Sequence, residues 1–397
     1  GKSKNNQSHR KQVILAIMVN EDGYPFKWDV LPGNTAEVTT LKDKVKACRD
    51  RFHLKDVSLV FDRGVVSEDN LQLIDKNKEK SLKYITTLDK NQIPKVEGVN
   101  LQLFKDLTIK NIKKEIESLP GFTRYDKFLY YQDLGKVKDK RYILGINLSL
   151  FIEQRSNREE KIELFLKFIS QLNRELQKAK RKRSKEVIRG SVKKELARLK
   201  ITRFFEKPRF SKINISRTLS NGSTKRIIGY QVSIKKREEK IRKASLLDGV
   251  CCFVTNHTEK KDDQFLFPPE KVIYGYRNKR KIEDAFKHLK SFLKIRPFWV
   301  NLDEHVRAVY TICVLAYFLN FHLARMRSKH EETEFLNSKK LYQPFKNSRL
   351  SRFKDEKFGW VKEKIIYPEP EDLKILQQLG FSHLLDKKIF QKTTEEN

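Results

Sequence analysis

The first ninety residues alternate between apolar runs of strand length and polar turns. Residues 12–20 form a continuous apolar run, residues 21–23 give a turn signal, and residues 24–33 form a second run. This order predicts a β-hairpin. Apolar side chains at helical spacing then predict an amphipathic helix over residues 35–51, with Leu41, Val45 and Cys48 on one side.

Two further strands are predicted before residue 93. Residues 57–64 form a short apolar run that ends in an aspartate and a glycine turn, and residues 81–88 form another run. Carboxylates at the carboxyl ends of strands are common ligand positions in open α/β sheets. Asp62 is therefore a candidate ligand, although an N-cap role for the segment 66–74 explains its position equally well.

From residue 94 to about residue 247 the pattern indicates one inserted α+β module. Short strands are predicted over residues 100–104, 128–131 and 141–148. Ser156 and Glu159 form a capping box that predicts the start of a long helix. Asn221-Gly222, between the apolar runs 213–220 and 226–234, predicts a hairpin.

The end of the long helix is strongly basic. Six cations lie between residues 178 and 185, among them Lys180, Arg181 and Arg183. Such a run is usually a solvated face, and a contact with a phosphate backbone is the alternative.

The central stretch of the chain is a predicted single helix over residues 276–294. Ile282, Phe286, Leu289 and Leu293 recur at helical spacing and form an apolar stripe. Beside the stripe, within an arc of roughly 100°, lie polar residues. They are Tyr276, Lys279, Arg280, Glu283, Lys287 and Lys290. One interpretation is a solvated face with Glu–Lys pairs, and the other is an acidic metal ligand flanked by phosphate-binding cations.

The remaining pattern completes an α/β expectation. Residues 248–256 predict a strand that leads into the central helix, and residues 303–326 predict a helix that is apolar on nearly all sides and therefore in the core. Its most apolar run, 308–319, is shorter than a membrane span. The PEPED segment at 368–372 predicts that a short helix follows.

Charge changes this picture most. The 397 residues carry 85 Lys plus Arg against 51 Asp plus Glu, a formal net charge of +34 with a sequence pI of about 9.8. Such an excess favours a polyanionic partner, and the lack of a long apolar run favours nucleic acid over a membrane. The polar start and the four cysteines, which show no C-x-x-C pairing, lead us to expect a cytoplasmic, nucleoid-associated protein.

Several motifs resemble those of DDE-class insertion-sequence transposases, over about residues 12–326. Asp62-Arg63-Gly64 with Asn70-Leu71 is similar to the family's D-R-G segment, and Pro32-Gly33-Asn34 to its P-G-N signature. Tyr276, Glu283 and Lys290 match a Y-x2-R-x3-E-x6-K motif in which Lys279 takes the arginine position, beside Arg280. Residues 248–256 resemble the segment that precedes this motif. A lysine replaces a bidentate fork with a point charge at that position.

The resemblance implies an RNase H-like mixed sheet interrupted by a large insertion. The implied division is residues 1–93 and 248–327 for the two parts of the core, 94–247 for the insertion and 328–397 for a tail. The family's first catalytic aspartate lies on a strand upstream of residues 12–20, so we expect that strand to be missing and sheet edges to be exposed. Asp22 and Asp29, in the hairpin, are poor substitutes.

The resemblance also implies the chemistry. Asp62 and Glu283 would hold Mg²⁺, with Mn²⁺ as an alternative, for phosphodiester cleavage and strand transfer. The cations of the motif, with Lys180, Arg181 and Arg183, would bind the double-stranded DNA of transposon ends and target, within a homodimer. The alternatives are a catalytically inactive DNA-binding remnant and an RNA-binding basic protein, for which no RRM, KH or zinc-finger signature is found.

Overall fold

The structure is a computed structural model that describes residues 12–33, 58–61, 83–178, 183–218, 223–291, 293–295, 299–300, 302–331, 342–346, 349–354, 361–366 and 370–382. The chain forms two compact units, Gly1–Arg51 with Arg277–Asn397, and Phe52–Tyr276. We call them the split unit and the central unit.

Elements are numbered along the described residues. The strands are β1 (Val13–Val19), β2 (Pro25–Pro32), β3 (Ser58–Val60), β4 (Lys83–Thr87), β5 (Thr123–Arg124), β6 (Leu129–Val137), β7 (Lys140–Asn147), β8 (Arg209–Thr218), β9 (Thr224–Ser233), β10 (Val250–Thr255), β11 (Lys260–Lys261), β12 (Gln264–Phe265), β13 (Arg349–Lys354) and β14 (Val361–Ile366). The helices are α1 (Ile112–Glu117), α2 (Leu148–Lys178), α3 (Lys185–Arg198), α4 (Glu238–Ser245), α5 (Pro269–Asn278), α6 (Arg280–Ser291), α7 (Asp303–Glu331) and α8 (Pro370–Gln378).

A mixed six-stranded sheet organises the central unit. Its strand order is β3-β4-β10-β7-β6-β5. Only β3 and β4 run parallel among these strands, and each other neighbouring pair is antiparallel. The α/β expectation is thereby confirmed at the level of a mixed sheet with helices.

The helical part of the central unit has a core of its own. Phe165, Leu172 and Leu176 on α2 pack with Val192 on α3 and Val232 on β9. The amphipathic pattern of α2 thus buries one face against the β8–β9 hairpin, whose pairing runs from Arg209↔Ser233 to Thr218↔Thr224. That hairpin was expected, and its turn at residues 219–222 lies outside the described residues.

The split unit is built on the predicted β1–β2 hairpin. Val13 pairs with Pro32 and Ile17 with Trp28, and the turn uses Gly23 at φ +100°. These strands form a two-stranded sheet of their own. Ile17 and Val30 pack with Leu289 on α6 and Tyr310 on α7 in one buried cluster.

Polar contacts hold α7 to the hairpin. Tyr310 Oη donates to Ala16 O at 2.9 Å, Arg307 pairs with Asp29 at 2.8 Å and Arg325 pairs with Asp22 at 2.6 Å. Both hairpin aspartates therefore have structural partners.

The expectation that α7 is buried on nearly all sides is wrong. Its other face is open: Ile312 is 65% exposed and Leu319 62% exposed. The apolar run lies inside a longer helix, and Asp303–Ser328 is the one segment among the described residues long and apolar enough to cross a membrane. Core helices of soluble proteins meet the same test, and 33% of this segment's apolar window is buried.

Two element predictions in the insertion are also wrong. Residues Leu101–Phe104 form a 3-10 turn rather than a strand, because Asn100 Oδ1 accepts the Gln102 N–H at 3.1 Å and closes a helical turn. The long helix starts at Leu148, eight residues before Ser156. Asn147 Oδ1 accepts the Leu150 N–H at 2.9 Å, so Asn147 is the true N-cap and the capping-box pattern falls inside the helix.

Candidate functional site

The predicted single helix over residues 276–294 is two helices. α5 ends at Asn278, α6 begins at Arg280, and Lys279 lies at the break. Lys279 O accepts the Ile282 N–H at 2.9 Å and so starts the new helix. The boundary between the two units also falls here, between Tyr276 and Arg277. Periodicity over the two helices is nearly continuous, which explains the single-helix prediction.

Glu283 stands in the first turn of α6 and faces solvent. Its side chain is 65% exposed, and its ion pair is with Lys279 Nζ at 3.8 Å. A contact at this distance between partly solvated groups contributes little to stability. The carboxylate is thus held in place by its helix rather than by a tight ion pair.

The helix that carries Glu283 is anchored by its apolar stripe. Ala285 and Leu289 are fully buried, and Ile282, Phe286 and Leu293 pack against the same cluster. The predicted stripe is confirmed, with Ala285 as an additional member. Because α6 packs on the hairpin and α7, the direction of its outer face is set by the core of the split unit.

The outer face of α6 presents three cations with the carboxylate. Arg280, Lys287 and Lys290 are exposed, at spacings of three and four residues around Glu283. Lys290 Nζ lies 5.4 Å from the centre of the Phe286 ring, which keeps its stem along the helix. This arrangement can supply one hard oxygen ligand to a divalent cation and several donors to phosphate oxygens.

Tyr276 has a well-defined place in the central unit. Its hydroxyl accepts a hydrogen bond from Thr87 Oγ1 at 2.8 Å, and its ring lies edge-on to Phe253 at 5.5 Å. The side chain thus joins the end of β4 to α5. Tyr276 therefore has a structural role whether or not it contacts a ligand.

Asp62 lies outside the described residues, as do Arg63, Gly64, Asn70 and Leu71. The chain leading to it is well placed. Phe61 is 8% exposed, Phe61 N donates to Ile85 O at 3.4 Å, and Phe61 O accepts from Thr86 Oγ1 at 3.1 Å. The structure therefore defines the strand end before Asp62, while its role as a ligand stays a prediction.

In the P-G-N signature, Asn34 lies outside the described residues. The glycine at position 33 is explained by close packing. A Cβ at Gly33 would collide with the Gln12 backbone carbonyl. Only glycine allows the two strand ends of the hairpin to approach this closely.

The segment 248–256, noted for its D-G and T-N pairs, makes structural contacts. Asp248 is 2% exposed and binds Arg155 and Arg158 of α2. Asn256 Oδ1 accepts the Tyr84 N–H at 2.8 Å, and Thr255 Oγ1 donates to Tyr84 O at 2.6 Å. These side chains hold β10 and the residues on either side of it to β4 and to α2.

The basic helix end is only partly described. Lys180 and Arg181 lie outside the described residues, and Arg183 Nη1 lies 3.7 Å from Glu175 Oε2. Both partners of that pair are about half exposed, at 45% and 48%, which is the solvated arrangement typical of a charge run.

The described residues contain no complete metal site, and they leave the proposed one untested. Among the residues that the structure describes, no group of three or more His, Cys, Asp or Glu could hold an ion. Glu283, an exposed carboxylate, fits one ligand position of a Mg²⁺ site, and the second proposed ligand, Asp62, is outside the described ranges.

Sequence reasoning missed a basic cleft in the central unit. Residues from α2, from the loop after β4 and from the segment that follows α3 line it. Arg158 and Lys161 lie three residues apart on one side of α2, and this spacing was the available signal.

Comparisons with protein families, with curated proteins and with solved structures found no match to this chain.

Proposed function

We propose that the chain is a DDE-class insertion-sequence transposase with an RNase H-like core, in which Asp62 and Glu283 hold Mg²⁺. When bound, the metal would activate water and stabilise charge on the phosphodiester. The observation that carries the proposal is the position of Glu283. Its carboxylate is 65% exposed, and the opposite face of its helix is buried in the core of the split unit. Cationic residues lie on both sides of it along the chain.

The cations around Glu283 are suited to hold a DNA backbone. Arg280, Lys287 and Lys290 are exposed on the same helix, and Lys279 lies at its start. An array of this kind binds phosphates and orients the strand to be cut, independently of base sequence. Tyr276, anchored by Thr87, extends the motif onto α5.

The arrangement of β3 and β4 is a second observation that supports the proposed core. β3 runs parallel to β4 and leads through buried Phe61 directly to Asp62. β3 is at the edge of the six-stranded sheet of described strands.

The decisive experiment compares Glu283→Gln with Glu163→Gln. Glu163 is a matched control, because it is also 65% exposed on a helix in an i,i+4 ion pair, with Lys167. Both proteins, carrying an upstream extension that supplies an aspartate-bearing strand, are assayed for Mg²⁺-dependent nicking of the DNA that flanks their own gene. We expect Glu283→Gln to lower nicking by at least about 100-fold with DNA affinity nearly unchanged.

The control should nick like the parent. Equal nicking by the parent and Glu283→Gln would remove Glu283 from the mechanism. Equal loss in both variants would show that the losses reflect folding or surface charge.

A second candidate is a non-catalytic DNA-binding remnant. It is favoured by the Lys279–Glu283 pair, which is an arrangement that ordinary surface helices also show. DNA binding without Mg²⁺-dependent nicking, in the extended chain as well, would support this candidate over the first.

A further inference from the structure

The basic cleft in the central unit has a volume of about 770 Å³ and is open on one side. Its walls carry five cationic side chains and two carboxylates. The cations are Lys90, Arg158, Lys161, Lys200 and Arg203. This volume lies within the range of ordinary small-ligand pockets, and the lining carries a net positive charge.

Arg158 and Asp248 line the cleft, and Arg155, which is not part of the lining, binds the same carboxylate. Asp248 accepts from Arg158 Nη1 at 2.7 Å and from Arg155 Nε at 3.1 Å. Arg155 and Arg158 side chains are only 12% and 10% exposed, so two nearly buried guanidinium groups share one carboxylate. At low dielectric this excess attracts an anion more strongly than the same charge would at the surface.

The loop after β4 adds Lys90 to the lining of the cleft. Lys90 Nζ donates to Gln154 Oε1 at 2.5 Å and to Leu247 O at 2.8 Å. These two contacts orient the ammonium group.

Two further segments contribute cations to the lining of the cleft. Lys161 follows Arg158 on α2, and Lys200 and Arg203 belong to the segment after α3. The Arg203 guanidinium lies 4.7 Å from the centre of the Phe204 ring, which holds it at the wall.

The backbone at Lys200 is unusual for a lysine. Its φ is +57°, in the left-handed region, and it follows α3 at a position where glycine is the usual residue. The Lys200 N–H donates to Ala197 O at 3.1 Å and the Ile201 N–H to Leu196 O at 3.1 Å. The chain therefore accepts a strained conformation here and keeps a cation at the cleft.

We propose that this cleft binds a phosphate group, carried either by a nucleic-acid strand or by a free mononucleotide. Phosphate oxygens would accept from the cations of α2 and from Lys200, close to the pair of arginines that share Asp248. This inference does not need the cleavage chemistry proposed for Glu283, because it concerns binding alone.

The test uses Lys200→Gly and the matched control Lys138→Gly in the full chain. Lys138 is exposed in the β6–β7 turn of the same unit and also has a positive φ, of +56°. Each substitution removes one lysine and relieves the same backbone strain, so each should leave the protein folded. Only Lys200 lines the cleft.

Binding is measured by fluorescence anisotropy with a labelled single-stranded oligothymidylate and with a labelled mononucleotide. We expect Lys200→Gly to lower the affinity for one of these probes by about 5-fold. Lys138→Gly should lower the affinity for either probe by less than about 2-fold. Loss confined to the oligothymidylate identifies a strand as the source of phosphate, and loss for the mononucleotide identifies a free nucleotide.

Equal weakening of each probe by both variants, or no weakening by Lys200→Gly for either probe, would overturn the proposal. Neither outcome bears on the nicking assay with Glu283→Gln, so the two proposals fail separately. Acetylation of Lys161 in the parent protein gives a second measurement: bound probe should slow it by about 5-fold and leave Lys138 unaffected.

Discussion

At the residue scale, Gly249 shows most directly why one amino acid is required. Its φ is +68°, and a Cβ there would lie 2.5 Å from Asn147 O and 2.8 Å from Phe151 Cβ. Both neighbours are fixed, one by the β7–β10 pairing and one by burial at the start of α2. We therefore expect Gly249→Ala to destabilise the protein by about 3 kcal/mol or more, measured by denaturant unfolding.

Gly98→Ala separates the steric cost of a Cβ from the conformational cost of a positive φ. Gly98 has a similar φ of +84°, but a Cβ there would have no heavy atom within 4 Å. This variant should show only the conformational cost, about 1 kcal/mol. Equal destabilisation by the two substitutions would mean that the contacts around Gly249 relax freely.

His257 makes the stability of the folded protein depend on pH. Burial, with a smaller contribution from Lys83, lowers the pKa of His257 from 6.5 to about 4. Its Nε2 lies 2.7 Å from Ser58 Oγ, and its ring stacks on Phe267 at 4.0 Å. The folded state therefore holds a neutral imidazole that the unfolded chain would protonate.

The sign of the effect follows from proton counting. Between pH 6.5 and about 4, the unfolded state binds more protons at His257 than the folded state does. The free energy of unfolding is therefore highest above pH 6.5 and decreases as the pH falls through this window. We expect His257→Gln to make the loss of stability over this window shallower than in the parent. Between pH 7 and 9 the two curves of unfolding free energy should run parallel, and a slope difference there would contradict the assignment.

At the element scale, Asp248 joins β10 to α2. Because Asp248 is 2% exposed and shared by Arg155 and Arg158, its loss leaves two guanidinium groups nearly buried without a counter-charge. We expect Asp248→Asn to lower the free energy of unfolding by about 3–5 kcal/mol. Glu239→Gln, which breaks the fully exposed pair with Lys243, should leave the unfolding midpoint unchanged.

Local patterns predicted most of the elements. The β1–β2 and β8–β9 hairpins, the strands β4 and β10 and the apolar stripe of α6 follow from periodicity and turn residues. The predictions failed where the hydrogen bonds of a single residue decide the start or end of an element. Asn147 caps α2 and Lys279 separates α5 from α6, and in each case the apolar period runs through the boundary.

The candidate site was predictable only in part, because distant contacts decide what each residue does. Tyr276 is positioned by Thr87, which lies 189 residues away along the chain, and Asp248 by arginines about 90 residues away. A sequence pattern marks these residues as polar but does not reveal such partners. The basic cleft was missed for the same reason, since its cations come from three separate segments.

At the scale of the whole molecule, the net charge of +34 favours a polyanionic partner more strongly than any one residue does. If the proposed DNA binding uses the cations on α6 and around the basic cleft, about six phosphate contacts would form, at Arg280, Lys287, Lys290, Lys161, Lys200 and Arg203. Each contact releases counterions, so a protein with six of them loses about 1000-fold in DNA affinity between 50 and 200 mM salt. We expect a loss of this size for non-specific duplex DNA, measured by anisotropy titrations across that range.

Single substitutions should change this salt dependence in proportion to the contacts they remove. If Lys287 contacts a phosphate, Lys287→Gln lowers the slope of log affinity against log salt by about 0.9, because one fewer counterion is released. Glu283→Gln should leave the slope unchanged or steepen it slightly, since it removes a negative charge among the same cations. An affinity that hardly varies with salt would show that these cations are solvated in the complex, and would contradict both the duplex-binding proposal and the role assigned to the outer face of α6.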